Sequence, residues 1–348
     1  MHAQFRQVRC PGPRRSYNDG RSPLAGADEL PLLSKRIIVT APRQYSQKLC
    51  AKLINAGARP LVVPGVAITE LQGAELEQMR SYLRVLLSEQ QQRPSNDIGS
   101  SSQQQHQHQH QHLTHIAFTS KNGIFAFIDQ LAAVAGGVEA ACEWLRRSGL
   151  RLCALGADGE VLSGLGLEVH VAPPEASTLG LVRELERRGE AAGARVLCPV
   201  PLVTGGLVEP PVVPRFLKAL QDAGAAPVRL DAYLTRLGCT PEECGAERAA
   251  LQSGHVHAVV FSSTAEVTAR DCQMHAQGLL QLMGGAEAFR GAVLQHGVTL
   301  AAHGPYTAAG AAAVLGLPVP VVSRNFSTFD GVVAALEAHF AGAAGAGR

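Results

Sequence analysis

The 348-residue sequence predicts an α/β protein of two related halves, each a parallel sheet whose strands are separated by helices. Three observations carry that expectation. Short apolar runs alternate with helix-like apolar patterns along most of the chain. Two stretches echo each other: His115-Ile-Ala-Phe-Thr-Ser and His257-Ala-Val-Val-Phe-Ser-Ser each run through a buried-strand pattern into hydroxyl residues where a helix begins. The echo continues from Thr178-Leu-Gly-Leu-Val to Thr328-Phe-Asp-Gly-Val-Val. Composition agrees, since 17% charged residues, 5% aromatics and 36 glycines suit tightly packed α/β layers rather than a coiled coil or β-sandwich.

In order, residues 1–34 hold Arg6, Arg9, Arg14, Arg15 and Arg21 with few acids. Such a leader resembles an organelle transit segment, and a disordered basic tail has the same composition. Lys35-Arg-Ile-Ile-Val-Thr opens the folded part as a strand, Tyr45–Ala56 reads as a helix stopped by Gly57, and Pro60-Leu-Val-Val-Pro is the next strand. A helix is expected over Ala74–Gln90. Residues 93–112 are low complexity, with His106, His108, His110 and His112 alternating with Gln. A solvated insertion explains them better than a metal site, because no Cys or carboxylate completes a ligand set.

Strands are then expected at 115–119, 151–155, 168–171, 195–198 and 227–231, with helices at 122–134, 157–165, 178–189 and 211–223. A second run has strands at 256–261, 298–302 and 319–322 and helices at 264–283, 306–315 and 328–340. The first βαβ unit lacks a continuation and the last run lacks an opening, so 35–68 joins 255–340 as one discontinuous domain. Residues 113–231 form the other, 69–112 connect, and 232–254 return. The predicted fold class is α/β: two parallel-sheet domains (flavodoxin-like) joined by a two-stranded hinge, with a ligand cleft between them.

A net charge of +2 gives no electrostatic case for nucleic acid. Residues 297–323 lack Asp and Glu and hold no Lys or Arg, but Pro305, Pro318 and Pro320 interrupt them, so no membrane span is expected. Eight cysteines show no CxxC pair and no regular framework, which reads as small buried hydrophobes in a reducing compartment. Neither G-x-S-x-G nor a Walker loop is present, and Gly164-Leu-Gly166 follows a helix, the reverse of a dinucleotide-binding order.

What remains is a set of hydroxyls at strand-to-helix corners: Thr40, Thr119, Ser120, Ser262, Ser263, Thr264, Thr307, Ser327 and Thr328. Each has a plain reading as a helix cap. Together, facing one cleft, they suggest an anion-rich ligand held by neutral donors and backbone N–H groups. Tyr233, in Asp231-Ala-Tyr-Leu-Thr on the return crossing, reads either as a packed hinge aromatic or as a phenol presented to the cleft.

The order of motifs resembles the uroporphyrinogen-III synthase family, of a divergent plant or algal type: Ile-Ile-Val-Thr40, Phe118-Thr-Ser, Leu155-Gly, Cys198-Pro and Asp231-Ala-Tyr-Leu-Thr, then Phe261-Ser-Ser, Gly304-Pro-Tyr-Thr-Ala and Ser327-Thr-Phe-Asp-Gly. The likeness covers about 35–340 apart from the insertion. It implies a cofactor-free lyase of haem and chlorophyll biosynthesis that closes hydroxymethylbilane, a linear tetrapyrrole bearing eight carboxylates, into uroporphyrinogen III. Ring D is inverted and water is lost. The resemblance assigns Tyr233 as the catalytic residue, assisting departure of the hydroxyl, and Thr119, Ser120, Ser262, Thr307 and Thr328 as substrate contacts, with no metal. With the leader, it implies a monomer in the plastid stroma, the cytoplasm being the alternative.

The chain departs from the family at three places. Gly156-Ala-Asp-Gly-Glu puts Asp158 and Glu160 where a donor hydroxyl is usual, so carboxylates would face a polyanion. Tyr306 replaces a common Thr, and Leu202–Val213 enlarges a loop. A non-catalytic tetrapyrrole or anion binder of the same fold therefore stays open beside the enzyme. A bilobal solute-binding protein is disfavoured by the absence of an export signal.

Overall fold

Short apolar runs become strands because both faces of each sheet are covered. The computed structural model describes residues 30–91, 112–209, 211–261, 269–325 and 328–345. The leader through residue 29, most of the Gln/His insertion, and Ser262, Ser263, Thr264 and Ser327 lie outside those residues.

The first sheet contains β1 (Arg36–Val39), β2 (Arg59–Val62), β8 (Ala258–Phe261), β9 (Thr299–Ala302) and β10 (Val321–Val322), in the order β10-β9-β8-β1-β2. Its pairings are parallel. The second contains β3 (Val66–Glu70), β4 (His115–Phe118), β5 (Arg151–Ala154), β6 (Arg195–Val203) and β7 (Ala226–Leu237), in the order β3-β7-β6-β4-β5. Here β4 to β7 pair in parallel and β3 runs antiparallel to β7, so this sheet is mixed rather than purely parallel.

Alternation along each strand sends neighbouring side chains to opposite faces. Ile116 and Phe118 join one core and Ala117 the other, while Ile38, Val259 and Phe261 lie opposite Ile37, Val39 and Val260. Helices α1 (Arg43–Asn55) and α2 (Gly73–Gln91) flank the hinge strands. Around the second sheet lie α3 (Lys121–Ala135), α4 (Val138–Arg147), the short α5 (Gly159–Gly164), α6 (Thr178–Arg187) and α7 (Val212–Asp222). The first sheet is covered by α8 (Gly245–Gln252), α9 (Ala269–Leu282), α10 (Ala286–His296), α11 (Pro305–Leu315) and α12 (Asp330–Gly345). Phe118 and Phe127 meet edge to face with ring centroids 5.5 Å apart, fixing α3 on its sheet.

Several sequence expectations are corrected. The expected strand at 168–171 is only a bridge from Val171 to Cys153, its other positions being too polar for a buried ladder. The single helix expected over 264–283 is followed by a separate α10, divided from α9 by Gly284 and Gly285, both at positive φ. Residues 30–34, grouped by sequence with the leader, belong to the fold: Leu32 is fully buried against Leu53 and Val332. Cys239 and Cys244 form a disulfide, against the expectation of unpaired thiols. Cys142, Cys153 and Cys198 are free and buried. Burial pushes the Cys153 thiol up to about 12, and Cys198 is raised too.

The hinge is short. Only Val63–Gly65 separate β2 from β3, and Val66 pairs with Leu237, the last residue of β7. Four backbone steps span roughly 14 Å at most, so the carboxyl end of β2 and the carboxyl end of β7 must lie close together. Since β1, β8, β9 and β10 run with β2, and β4 to β6 run with β7, the carboxyl edges of both sheets open toward this hinge.

Close backbone contacts hold it. The Gly65 N–H donates to Thr40 O at 3.0 Å. A Cβ at Gly238 would stand 2.2 Å from Pro64 O, and one at Gly278 of α9 would stand 1.8 Å from Gly65 O. Gly278→Ala should therefore destabilise the protein by about 1–3 kcal/mol or more through overpacking. Gly291→Ala, in α10 with nothing within 4 Å, should instead stabilise by up to about 1 kcal/mol from helix propensity. Urea unfolding of the two variants would show opposite signs; equal effects would contradict the hinge packing.

Whereas His115 is the first residue of β4, His257 stands immediately before β8. Its Nδ1 accepts the Arg36 N–H at 3.1 Å, a bond available only to the unprotonated nitrogen. Burial, with Lys35 and Arg36 nearby, holds its pKa below the ordinary value. A depressed folded-state pKa means the unfolded chain takes the proton first. Stability should thus fall as the pH drops through about 6.5 toward the folded value. His257→Asn, which keeps an acceptor and removes the titration, should show a shallower loss between pH 7.5 and 5.5 in thermal melts (about two units spanning the ordinary pKa).

Candidate active site at the hinge

The residues singled out by sequence fall into two groups at the two carboxyl edges. In the second sheet, β4 ends at Phe118 and Ser120 caps α3: its Oγ accepts the Gly123 N–H at 3.1 Å. The same oxygen shares a hydrogen bond of 3.2 Å with the hydroxyl of Tyr233. Either hydroxyl can donate there. When Tyr233 donates, Ser120 keeps its own proton for a ligand, and when Ser120 donates, the phenol proton can be turned to one. Thr119 beside them is half-buried.

Tyr233 lies within β7, on the β3–β7 pair that forms the crossing, and only 8% of it is exposed. It pairs with Glu70 of β3 and Pro201 of β6. The register slips between Val200 and Pro201, so that Ala232 is an extra residue on β7. Strict alternation would send Ala232 and Tyr233 to opposite faces. With the bulge, both pack into the core that holds Phe118 and Ile124, and the phenol reaches the cap of α3. Pro199 and Pro201 tolerate this position because β4 pairs with β6 only through Val196 and Leu197, leaving the rest of β6 without a partner strand on that side among the described residues.

Gly123 is a participant that sequence reasoning passed over. A Cβ there would stand 3.2 Å from Pro199 O and 3.9 Å from Tyr233 Cε1, so glycine lets the helix end approach both. The available signal was a glycine in the first turn of an otherwise apolar helix.

The other group lies at the edge of the first sheet. Thr40 is buried and donates its hydroxyl to Val260 O at 3.1 Å, which makes it a strand-end anchor rather than a ligand contact. Thr307, in the first turn of α11, is 3% exposed. Gly304 caps that helix without a side-chain acceptor, at the positive end of its dipole. Thr328 is exposed and donates to Asp330 at 3.1 Å. Behind them His303 is buried and its ring lies 5.0 Å from Phe329. Ser262 lies outside the described residues.

The acidic corner differs from its sequence reading. Asp158 is drawn into the lobe, 8% exposed and engaged by a partner, so only Glu160 stands exposed there. The enlarged segment Leu202–Val213 is also not a free loop. β6 runs to Val203, and the turn after it straps onto α9 of the other lobe. Gln281 Nε2 donates to Gly206 O at 2.8 Å and Gln277 Oε1 accepts from the Val208 N–H at 3.3 Å. Arg229 ties the strap's end to β7 through Glu209 and Asp231, each at 2.8 Å. Among the described residues no group of three or more His, Cys, Asp or Glu could hold a metal, and no single helix is long and apolar enough to cross a membrane.

Two α/β lobes, joined by a double crossing and with hydroxyls and helix ends at their carboxyl edges, define a bilobal α/β protein. The family model for uroporphyrinogen-III synthase HemD matches residues 93–333, and the chain belongs to that family. No curated protein sequence matches it significantly. Among solved structures, a mutant uroporphyrinogen III synthase from the extremely thermophilic bacterium Thermus thermophilus is 17% identical with a TM-score of 0.55, over 88% of this chain and 97% of that one. The wild-type enzyme of the same bacterium is 16% identical with a TM-score of 0.45, over 89% of this chain and all of that one, 100%. At such identity the first likeness carries the fold alone.

Ser120 serves both as cap and as partner of the phenol. Ser120→Ala should cost about 1 kcal/mol, within the roughly 0.5–2 kcal/mol usual for a lost cap. Ser120→Thr should recover most of it, since the acceptor is kept. Chemical denaturation of both variants checks this, and equal losses would mean that the cap bond contributes nothing.

Proposed function

We propose that the protein is a working uroporphyrinogen-III synthase: it closes hydroxymethylbilane to uroporphyrinogen III with inversion of ring D and loss of water, using no cofactor. The observation that carries this reading is the Ser120–Tyr233 hydroxyl pair at the hinge of a HemD-family chain. The substrate class explains the rest of the site. A tetrapyrrole with eight carboxylates needs many hydrogen-bond donors, and helix ends with neutral hydroxyls supply them without a dense cationic surface.

Chemically, the hydroxyl on ring A leaves as water once it gains a proton. Tyr233 is the donor, directly or through an ordered water, and Ser120 sets the direction of its proton. The resulting azafulvene cation is held while the far end of the chain folds back on it. Orientation between two lobes then supplies much of the rate, because it replaces a search through open conformations by a positioned encounter. Burial of the Tyr233 ring supports this role, since a ring packed in the sheet loses little freedom on binding.

The purified protein, supplied with hydroxymethylbilane, should form the III isomer ahead of the spontaneous I isomer, as read by chromatography of the oxidised porphyrins. Tyr233→Phe keeps the buried ring and should lower III-isomer formation by no more than about 10²–10⁴-fold. Only the I isomer from folded wild type would sink the catalytic reading and favour a non-catalytic binder, a reading that the exposed Glu160 at the acidic corner keeps in view.

A further inference from the structure

The strap that follows β6 makes contacts that neither the core of the second lobe nor ring closure requires. Its base belongs to the second lobe and the hinge strands. Leu207 is buried against Val66, Val203 and Leu237. Arg229 donates to Glu209 Oε1 at 2.8 Å and to Pro201 O at 3.0 Å, which clamps the strap's far end and the body of β6 to β7. Gly205 and Gly206, at φ of 70° and 77°, turn the chain at the strap's tip.

That tip meets the other lobe. Helix α9 is fixed in the first lobe by Ala276, Leu279 and Leu282, which share a core with Ile38, Val259 and Phe261. Gln277 and Gln281 stand one turn apart on it, so both reach the same side. Gln281 Nε2 donates to Gly206 O, and the Val208 N–H donates to Gln277 Oε1. One glutamine gives a hydrogen and the other takes one. Gly206 leaves room for the amide, since a Cβ there would stand 3.4 Å from Gln281 Oε1. The distance of this contact from the pivot decides what it resists. Gly278, between the two glutamines, lies against Gly65 O of the crossing, and Gln281 is only about 4.5 Å further along the helix axis. Small rocking about the crossings therefore strains the contact little, whereas wide opening carries Gly206 and Val208 beyond hydrogen-bond reach.

We propose that the strap and these two glutamines form an uncharged latch that limits how far the lobes open, and that Gln277 and Gln281 thereby act as positioning residues for the tetrapyrrole. The positioning role rests on the function proposed above; the latch does not. A protein that is open most of the time binds in proportion to the fraction of molecules in the competent arrangement. Holding the lobes near one separation raises that fraction before the ligand arrives and lowers the ordering cost of binding. Neither glutamine touches the Ser120–Tyr233 pair, so the latch acts on substrate affinity and leaves the chemical step alone.

The two bonds run in opposite directions, and this supplies the test. In the ligand-free full chain, Gln277→Ala and Gln281→Ala should each broaden the interlobe distance distribution toward longer values, as read by pulsed electron spin resonance between labels at Glu139 of α4 and Leu294 of α10. Gln281→Glu has no hydrogen for Gly206 O and should behave as Gln281→Ala. Gln277→Glu keeps an acceptor for the Val208 N–H and should retain the wild-type distribution. Amide exchange at Val208 should quicken severalfold in Gln277→Ala, the scale of one lost hydrogen bond, and stay slow in Gln277→Glu. With hydroxymethylbilane, the double variant Gln277→Ala, Gln281→Ala should raise KM severalfold and hold kcat within about twofold. A double variant with the wild-type distance distribution, or a Gln277→Glu variant as loose as Gln277→Ala, would overturn the latch. A loosened double variant with unchanged KM would overturn the positioning role. A wild type that forms no III isomer would count against the proposed function, while the ligand-free distances would still decide the latch.

Discussion

The structure depends on the three residues Val63–Gly65. They are too few to let the lobes separate, and they join the carboxyl end of β2 to the strand pairing the end of β7. Parallel pairing does the rest. Once one strand end in each sheet is fixed at the hinge, every parallel neighbour ends on that side. Corners that would otherwise be ordinary helix caps, at Ser120 and Gly304, are thereby directed to one region. Glycines at 238 and 278 are the packing counterpart, since a methyl group at either would strike Pro64 O or Gly65 O.

On the proposed function, ligand chemistry follows from this geometry more than from any reactive side chain. A helix end beside a short hydroxyl offers several donors at fixed positions, which suits a flexible polyanion that must be folded before it reacts. Tyr233 is the one phenol that the hinge strands carry into this region, and a bulge aims it. The strap from Gly205 to Glu209 adds a second tie between the lobes, through α9 rather than through the crossings. Opening of the lobes therefore has to work against both, and the strap is made of few, exposed hydrogen bonds of the kind that break first.

Much of the α/β class was legible in the sequence. His115–Phe118 and Ala258–Phe261 are covered on both faces, so their apolar runs stand out, and Ser120 announces the helix that follows. Other features were hidden for identifiable reasons. α4, α8 and α10 are short and follow glycines or turns, so their patterns merge with the longer helices nearby. The slip at Pro201 cannot be seen from one strand alone, because a bulge is a property of the pairing, and so the face that Tyr233 takes was hidden. Cys239 and Cys244 have no recognisable spacing, and only the Thr240–Glu243 turn brings them together. Asp158 reads as an exposed repulsive charge because its burial is set by the turn at Gly156, whose positive φ the sequence does not reveal.

The central claim is that the two carboxyl edges face one another across the hinge and close on a ligand held between them. Pulsed electron spin resonance with labels at Glu139 and Leu294, on helices of opposite lobes, measures this directly. Adding hydroxymethylbilane, or a stable linear tetrapyrrole in its place, should shorten and narrow the distance distribution. A distribution that stays unchanged while binding is shown by titration would contradict it, and would place the ligand outside the cleft.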